Sequence, residues 1–109
     1  MDTKNTRMLL AFLSHDPAEA APLEQLSAKL LCSPKDIETH IEEARLKGHL
    51  IVEDEHGYFI ASDYHTFAQW RANRVIPVLV NYLDVLNAMG RAARRQFGVD
   101  DTRELRLTG

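Results

Sequence analysis

The order of short segments in residues 22–61 constrains the fold of this chain more than any other feature of its sequence. Leu23, Leu26 and Leu30 recur at the spacing of one face of a helix. The three residues 31–33 then break the pattern. This spacing predicts a short amphipathic helix that ends in a tight turn.

A second helix is predicted directly after the turn. Ser33 can cap its first turn, Pro34 suits the first helical position, and Gly48 is a typical residue just beyond a helix end. The predicted inner stripe consists of Ile37, Ile41 and Ala44. The predicted outward face consists of Lys35, Asp36, Thr39, His40 and Glu43.

A β-hairpin is predicted after the second helix. Residues 50–52 and 58–60 are short apolar runs with β-branched or aromatic side chains. The polar link 53–57 between them has a glycine at its end. The pattern is typical of two antiparallel strands joined by a short turn.

Further helices are predicted on both sides of this motif. A first helix is predicted at residues 6–13, and an exposed loop is predicted at residues 15–21. A C-terminal helix or kinked helix pair is predicted at residues 63–98, with Ser62 or Asp63 as its N-cap. Pro77 interrupts this segment, and a proline inside a helix costs about 3 kcal/mol, so a kink or break is expected near residues 73–76.

The C-terminal helix predicts self-association. Residues 75–86 are apolar almost without interruption, and a helix that is apolar nearly all round needs cover on more than one side. A second copy of the helix is the simplest cover. The predicted dimerisation residues are Trp70, Ile76, Leu79, Tyr82, Leu83 and Leu86. The domain prediction is therefore a first domain at 1–62, a dimerisation segment at 63–98 and a mobile tail at 99–109.

The first domain resembles the winged helix-turn-helix domains of bacterial and phage regulators, such as the N-terminal domain of biotin-operon repressors. The residues that carry the resemblance are Leu23, Leu26, Ser27, Leu30, Ser33, Ile37, Ile41, Leu46, Gly48, Ile51, Gly57, Tyr58 and Ile60. The resemblance implies a three-helix core with a hairpin wing. It also implies that the protein binds double-stranded DNA and regulates transcription. The apolar C-terminal helix adds the expectation that it does so as a homodimer.

The implied DNA contacts come from the second helix of the motif, whose early outward residues reach base edges in the major groove. On this helix the candidates are Ser33, Lys35, Thr39, His40 and Glu43. The basic run Arg91, Arg94 and Arg95 could hold backbone phosphate. Equally, the helix candidates could form an ordinary solvated face, and the arginines could balance a helix C-terminus.

The charge pattern leaves a second interpretation open. Residues 33–47 hold three basic and four acidic side chains, a formal charge of −1. The predicted wing carries Glu53, Asp54 and Glu55, and phosphate repels carboxylates. The alternative is a protein-interaction module, such as a phage or mobile-element inhibitor or adaptor, whose acidic wing and helix contact a basic protein partner.

Other function classes lack sequence support. No glycine-rich phosphate loop, zinc-protease motif or cysteine pair is present, so no enzyme, cofactor or metal is predicted. No run approaches the roughly 20 apolar residues of a membrane span. Cys32 is the only cysteine, which favours a reducing cytoplasm.

Overall fold

The protein is mainly helical, with one two-stranded antiparallel hairpin in the part of the chain that the structure describes. That structure is a computed structural model, and it describes residues 3–98 and 104–106. The mainly helical class with a small hairpin is therefore confirmed. In chain order the elements are α1 (Lys4–Phe12), α2 (Leu23–Leu30), α3 (Pro34–Leu46), β1 (Ile51–Asp54), β2 (Gly57–Ile60), α4 (Tyr64–Trp70) and α5 (Ile76–Phe97).

The helix ends follow their capping residues. Thr3 caps α1, so this helix begins before the predicted residue 6. Pro22 is the N-cap of α2 rather than its first helical residue, a shift of the size expected at helix ends. Helix α3 begins as predicted, with Pro34 first and the Ser33 hydroxyl accepting from the Asp36 amide at 3.1 Å.

The main core lies between the first three helices and one face of the hairpin. Its fully buried side chains follow the predicted stripes of α2 and α3 and add the inner residues of α1. The cluster consists of Leu9, Leu13, Ala21, Leu26, Ile37, Ile41, Ala44 and Ile51. Helical periodicity therefore located this core correctly, because each stripe needs an apolar partner.

The hairpin has a second apolar face. Ile51 pairs with Ile60 and Val52 with Phe59, and adjacent positions along a strand point to opposite faces. Ile51 therefore faces the main core, whereas Val52, Phe59 and the following Ala61 form a separate cluster. Ala20, Phe67 and Trp70 pack against that second cluster.

Strand β2 also has hydrogen-bond partners on its outer edge. The Ala21 amide donates to the Tyr58 carbonyl at 2.9 Å, and the Tyr58 amide donates back at 2.8 Å. The Ile60 amide donates to the Ser14 carbonyl at 2.8 Å. The prediction of an exposed loop at 15–21 is thus wrong for Ala21, which is buried because it pairs with β2.

The chain divides into two compact units, Met1–Trp70 and Arg71–Gly109. The predicted boundary at residue 62 is too early, because α4 packs on the hairpin through Phe67 and Trp70 and so belongs to the first unit. Asp63 caps α4, since its Oδ1 accepts from the Thr66 amide at 2.7 Å. That hydrogen bond lowers the pKa of the Asp63 carboxyl below its usual value.

The second unit accommodates Pro77 by a change of helix type. Arg71–Val75 is a π-helical turn, and α5 starts directly after it with Pro77 in its first turn. The proline therefore lies where its missing amide is tolerated, and the interruption falls at the predicted place. Gly98 ends α5 in a left-handed conformation, at φ 66°.

A short C-terminal piece of the second unit is bound to α5. The Asn87 side chain exchanges two hydrogen bonds with the Leu105 backbone, at 2.8 and 2.9 Å. Leu105 belongs to the segment predicted as a mobile tail. Residues 99–103 and 107–109 of that segment lie outside the described residues. None of the helices in the described ranges has the length and apolar character needed to cross a bilayer.

Replacing Gly57 by alanine should destabilise the first unit more than replacing Gly48 by alanine. Gly57 has φ +137°, and a Cβ there would lie 2.3 Å from the Ala21 carbonyl carbon. Gly48 has φ +94° but open space around its would-be Cβ. We expect Gly48→Ala to cost about 1 kcal/mol, from backbone strain alone, and Gly57→Ala to cost at least about 3 kcal/mol. Urea unfolding measures both, and equal losses would contradict the close approach of β2 to Ala21.

Candidate functional site

The outward face of α3 is held in place by the turn that precedes it. Leu31 is the C-cap of α2 and has a left-handed backbone conformation, at φ 54°. The residue is 91% exposed. The Ser27 hydroxyl donates to the Cys32 carbonyl and closes the turn. With Ser33 capping the next helix, the start of α3 projects from the body of the first unit.

Two predicted contact residues lie on the exposed surface in the first half of α3. Lys35 and Thr39 are both exposed and lie one turn apart. The Thr39 hydroxyl donates to the Lys35 carbonyl at 3.1 Å, so its proton is used within the helix. Its methyl group and its oxygen lone pairs remain for an external ligand.

His40 and Glu43 lie beside that surface. The His40 side chain is only 19% exposed, and its Nδ1 is 3.8 Å from a Glu43 carboxylate oxygen. This imidazole lines a groove of about 440 Å³, together with Met8 of α1 and Leu31. Of the residues predicted on α3, His40 is therefore the least available to a large ligand.

The remaining exposed charges of α3 are mostly acidic. The exposed carboxylates are Asp36, Glu38, Glu42 and Glu43, against the single exposed cation Lys35 within the helix. Asp36 and Glu38 flank the line from Lys35 to Thr39, while Glu42 and Glu43 occupy the second half of the helix. The acidic character is thus strongest away from the start of α3.

The three wing carboxylates have different surroundings. Asp54 Oδ1 accepts from the His56 amide at 2.8 Å and from the Gly57 amide at 3.2 Å, which closes the hairpin turn. Glu53 is hydrogen-bonded to Tyr58, and burial followed by the Glu53 charge raises the pKa of the Tyr58 hydroxyl. Glu55 is exposed and lies 3.5 Å from His56 Nε2. Of the three, only Glu55 is exposed, so it is the one that would repel phosphate most strongly.

The predicted arginines lie on the last turns of α5, in the second unit. Arg91 forms a 2.6 Å ion pair with Glu104, so its charge is partly neutralised. Arg95 is exposed and Arg94 is half-buried. Arg94 and Arg95 follow each other in sequence and therefore point about 100° apart around the helix.

The predicted dimerisation residues divide between the two units. Trp70 packs in the second cluster of the first unit, and the Arg45 guanidinium lies 4.8 Å from its ring centroid. The α5 residues are largely exposed: Ile76, Val78, Leu79, Val80, Tyr82, Val85, Leu86 and Met89. Leu83 is half-buried. A broad apolar surface therefore remains along α5.

Two residues of α3 have surroundings that the sequence interpretation missed. Leu46, assigned above to the apolar frame, is 84% exposed and lies on the outward face. Arg45 is half-buried instead, and its Nε donates to the Ile51 carbonyl at 2.8 Å. Spacing could have located Arg45, because it follows Ile37 and Ile41 at intervals of four along the inner stripe.

Within the described residues, no group of three or more His, Cys, Asp or Glu side chains is placed to hold a metal ion. Comparisons with protein-family models, curated proteins and solved structures found no match to this chain.

Replacing Ser33 tests whether this residue acts through the helix start. Ser33→Ala removes the acceptor for the Asp36 amide and should cost about 1 kcal/mol of unfolding free energy. Ser33→Asp keeps an acceptor at the cap and should retain the stability of the parent protein. Thermal and urea unfolding measure both. A loss of ligand binding in Ser33→Ala without any loss of stability would instead show a direct contact.

Proposed function

We propose that this protein is a winged helix-turn-helix transcriptional regulator that binds double-stranded DNA as a homodimer. The observation that carries the proposal is the exposed start of α3, where Lys35 and Thr39 project beyond a tight turn with a hairpin close by. An α-helix presented by its first turns is the element that enters the major groove in this class of protein.

The chemistry of Lys35 and Thr39 suits base recognition. A lysine ammonium can donate to the O6 and N7 acceptors of guanine. The Thr39 methyl can contact a thymine methyl, because its hydroxyl proton is already directed at the Lys35 carbonyl. Arg95 and Arg94 of α5 add cations that could contact phosphate.

The acidic side chains on α3 limit how this helix can dock. Glu42 and Glu43 lie in its second half, so a pose that inserts only the first two turns places them farther from phosphate than Lys35 and reduces, without removing, their repulsion. Such a pose predicts modest affinity with a strong dependence on salt, since few cations offset the carboxylates. Asp36 and Glu38 could accept from the N4 amino group of cytosine.

Self-association is supported by α5. This helix of 22 residues is about 33 Å long, and most of its apolar side chains are exposed. Two such helices packed together would remove most of this surface from water, at about 25 cal/mol per Å². A dimer also presents two copies of α3, which is how proteins of this class read two half-sites.

A polarisation assay with a labelled random-sequence duplex tests the DNA proposal. We expect binding at 50 mM salt that weakens steeply by 200 mM. Lys35→Ala should weaken it roughly tenfold, about 1.4 kcal/mol. The paired change Glu42→Gln with Glu43→Gln should strengthen binding, because it removes repulsion of phosphate. Glu19→Gln, on an exposed turn outside α3, is the control for net charge.

Light scattering at micromolar concentration tests the dimer. The parent protein should have the mass of two chains. Leu86→Asp places a charge on the apolar side of α5 and should give monomer or aggregate, because the charge would be buried without a partner. Asn81→Asp adds the same charge beside the polar Asp84 side of the helix and should leave the dimer intact. A parent protein of monomer mass would rule the dimer out.

A second candidate function is favoured by the charge of α3. Glu42 and Glu43 lie one turn before Leu46 on the same helix, and Leu46 is 84% exposed. An exposed apolar side chain next to two carboxylates suits a basic protein partner with a small apolar pocket. DNA binding by the double variant Glu42→Gln, Glu43→Gln distinguishes the two proposed functions. If the parent protein shows no DNA binding at 50 mM salt and the Glu42→Gln, Glu43→Gln protein also shows none, the protein-partner function is preferred.

A further inference from the structure

One line of side chains along α5 has the spacing of a coiled-coil seam. Its members follow each other at alternating intervals of three and four residues, as do the positions that face a second helix in a heptad repeat. This α5 seam consists of Ile76, Leu79, Leu83, Leu86, Gly90 and Ala93. Ile76, Leu79 and Leu86 are 40%, 45% and 37% exposed, so apolar surface along the seam is open to a second helix.

Gly90 is the member of the α5 seam that the chain itself does not explain. It lies well inside α5, where glycine is a weaker helix former than any residue except proline. Its backbone is helical, so no left-handed conformation requires glycine there. Apart from its chain neighbours and the nearby helix backbone, a Cβ at this position would meet only Arg94 Nη1 among the described residues, at an ordinary 3.8 Å. The missing side chain therefore leaves room for a close neighbour from another molecule.

The order of large and small residues in the α5 seam fits a second copy that runs in the opposite direction. In a parallel pair each residue faces its own copy, so Gly90 would face Gly90 and Ala93 would face Ala93, which leaves a gap at that end. In an antiparallel pair centred between residues 84 and 85, each small residue meets a large one. The facing pairs are then Ile76 with Ala93, Leu79 with Gly90, and Leu83 with Leu86.

The two flanks of the α5 seam agree with this pairing. Tyr82 and Met89 lie on one flank and are 64% and 62% exposed. The antiparallel pair brings each of them near the other residue of the second copy, and a thioether beside an aromatic ring is a favourable contact. The other flank is occupied by the chain's own C-terminal piece, since Asn87 binds the Leu105 backbone through two hydrogen bonds.

We propose that two copies of this chain pair through antiparallel α5 helices along the α5 seam, with the two-fold axis between residues 84 and 85. The occupant of this face is a second copy, because the seam is complementary to itself when its direction is reversed. The arrangement rests on the homodimer proposed above and adds its orientation and register. It also sets the two Ile76 residues about 26 Å apart along the helix axis.

The distance between two spin labels, measured by pulsed electron paramagnetic resonance, tests the orientation. Each labelled protein carries Cys32→Ser, which removes the native thiol, and one new cysteine. A label at Gln96→Cys should lie about 35 to 40 Å from its copy in the antiparallel pair, because position 96 is far from the two-fold axis. A parallel pair would place the same labels within about 25 Å of each other. Val85→Cys, next to the axis, is the matched control and should give a distance below about 25 Å in either orientation.

Light scattering on the same proteins separates failure of this arrangement from failure of the dimer. A dimer with a long distance at position 96 and a short one at position 85 supports the antiparallel pair. A dimer with a short distance at position 96, or a long one at position 85, overturns the arrangement and leaves the homodimer standing. A monomer mass for the parent protein overturns both.

Gly90→Leu tests the same contact without labels. In the antiparallel pair the new side chain competes with Leu79 of the second copy for space, so the dissociation constant of the dimer should rise at least about tenfold. In a parallel pair it would fill the gap and tighten the dimer. Leucine favours a helix more than glycine does, so a weaker dimer would not reflect loss of α5.

Ala88→Leu is the matched control for this change. Ala88 is exposed and lies two residues before Gly90, so it points about 160° away around the helix. This variant should leave the dissociation constant unchanged. Dilution in an analytical ultracentrifuge measures both variants, and an unchanged or tighter dimer in Gly90→Leu overturns the antiparallel arrangement.

Discussion

The burial of the β-hairpin on both faces is the interaction on which the rest of the first unit depends. Two strands of four residues are marginal in water by themselves. Ile51 and its neighbours pack on the three-helix core, while Val52 and Phe59 pack under α4. The edge of β2 is paired to Ala21 and Ser14. Gly57 makes this pairing possible, since any side chain there would collide with the Ala21 backbone.

The same arrangement places the two sides of α3 in different surroundings. Because α1, α2 and the hairpin cover the inner stripe of α3, its outer residues Lys35 and Thr39 project into solvent. Because α4 covers the far side of the hairpin, Arg45 is enclosed between the Ile51 carbonyl and the Trp70 ring. One helix thus presents polar groups outward, at Lys35 and Thr39, and one cation inward, at Arg45.

The exposed charge of α3 bears differently on the two proposed functions. Four exposed carboxylates oppose one exposed lysine within the helix, and near phosphate each would be repelled. Two of the three hairpin acids are already used internally, since Asp54 closes the turn and Glu53 is hydrogen-bonded to Tyr58. The balance between the first and second halves of α3 is therefore the physical question that separates DNA from a basic protein partner.

The sequence by itself determined the elements whose signals are local. Leucine spacing located α2, the Ser33–Pro34 pair located the start of α3, and Pro77 located the interruption before α5. Two short apolar runs on either side of a polar link located the hairpin, but both of its faces are apolar, so the sequence could not say what covers each one. Only the tertiary structure decided that Ala21 pairs with Tyr58, that Trp70 belongs to the first unit, and that Leu46 is exposed. It also placed Arg45 against Trp70 with one nitrogen unpartnered. These features join residues that are far apart in the chain, and the packing that brings them together depends on the whole first unit rather than on any one segment.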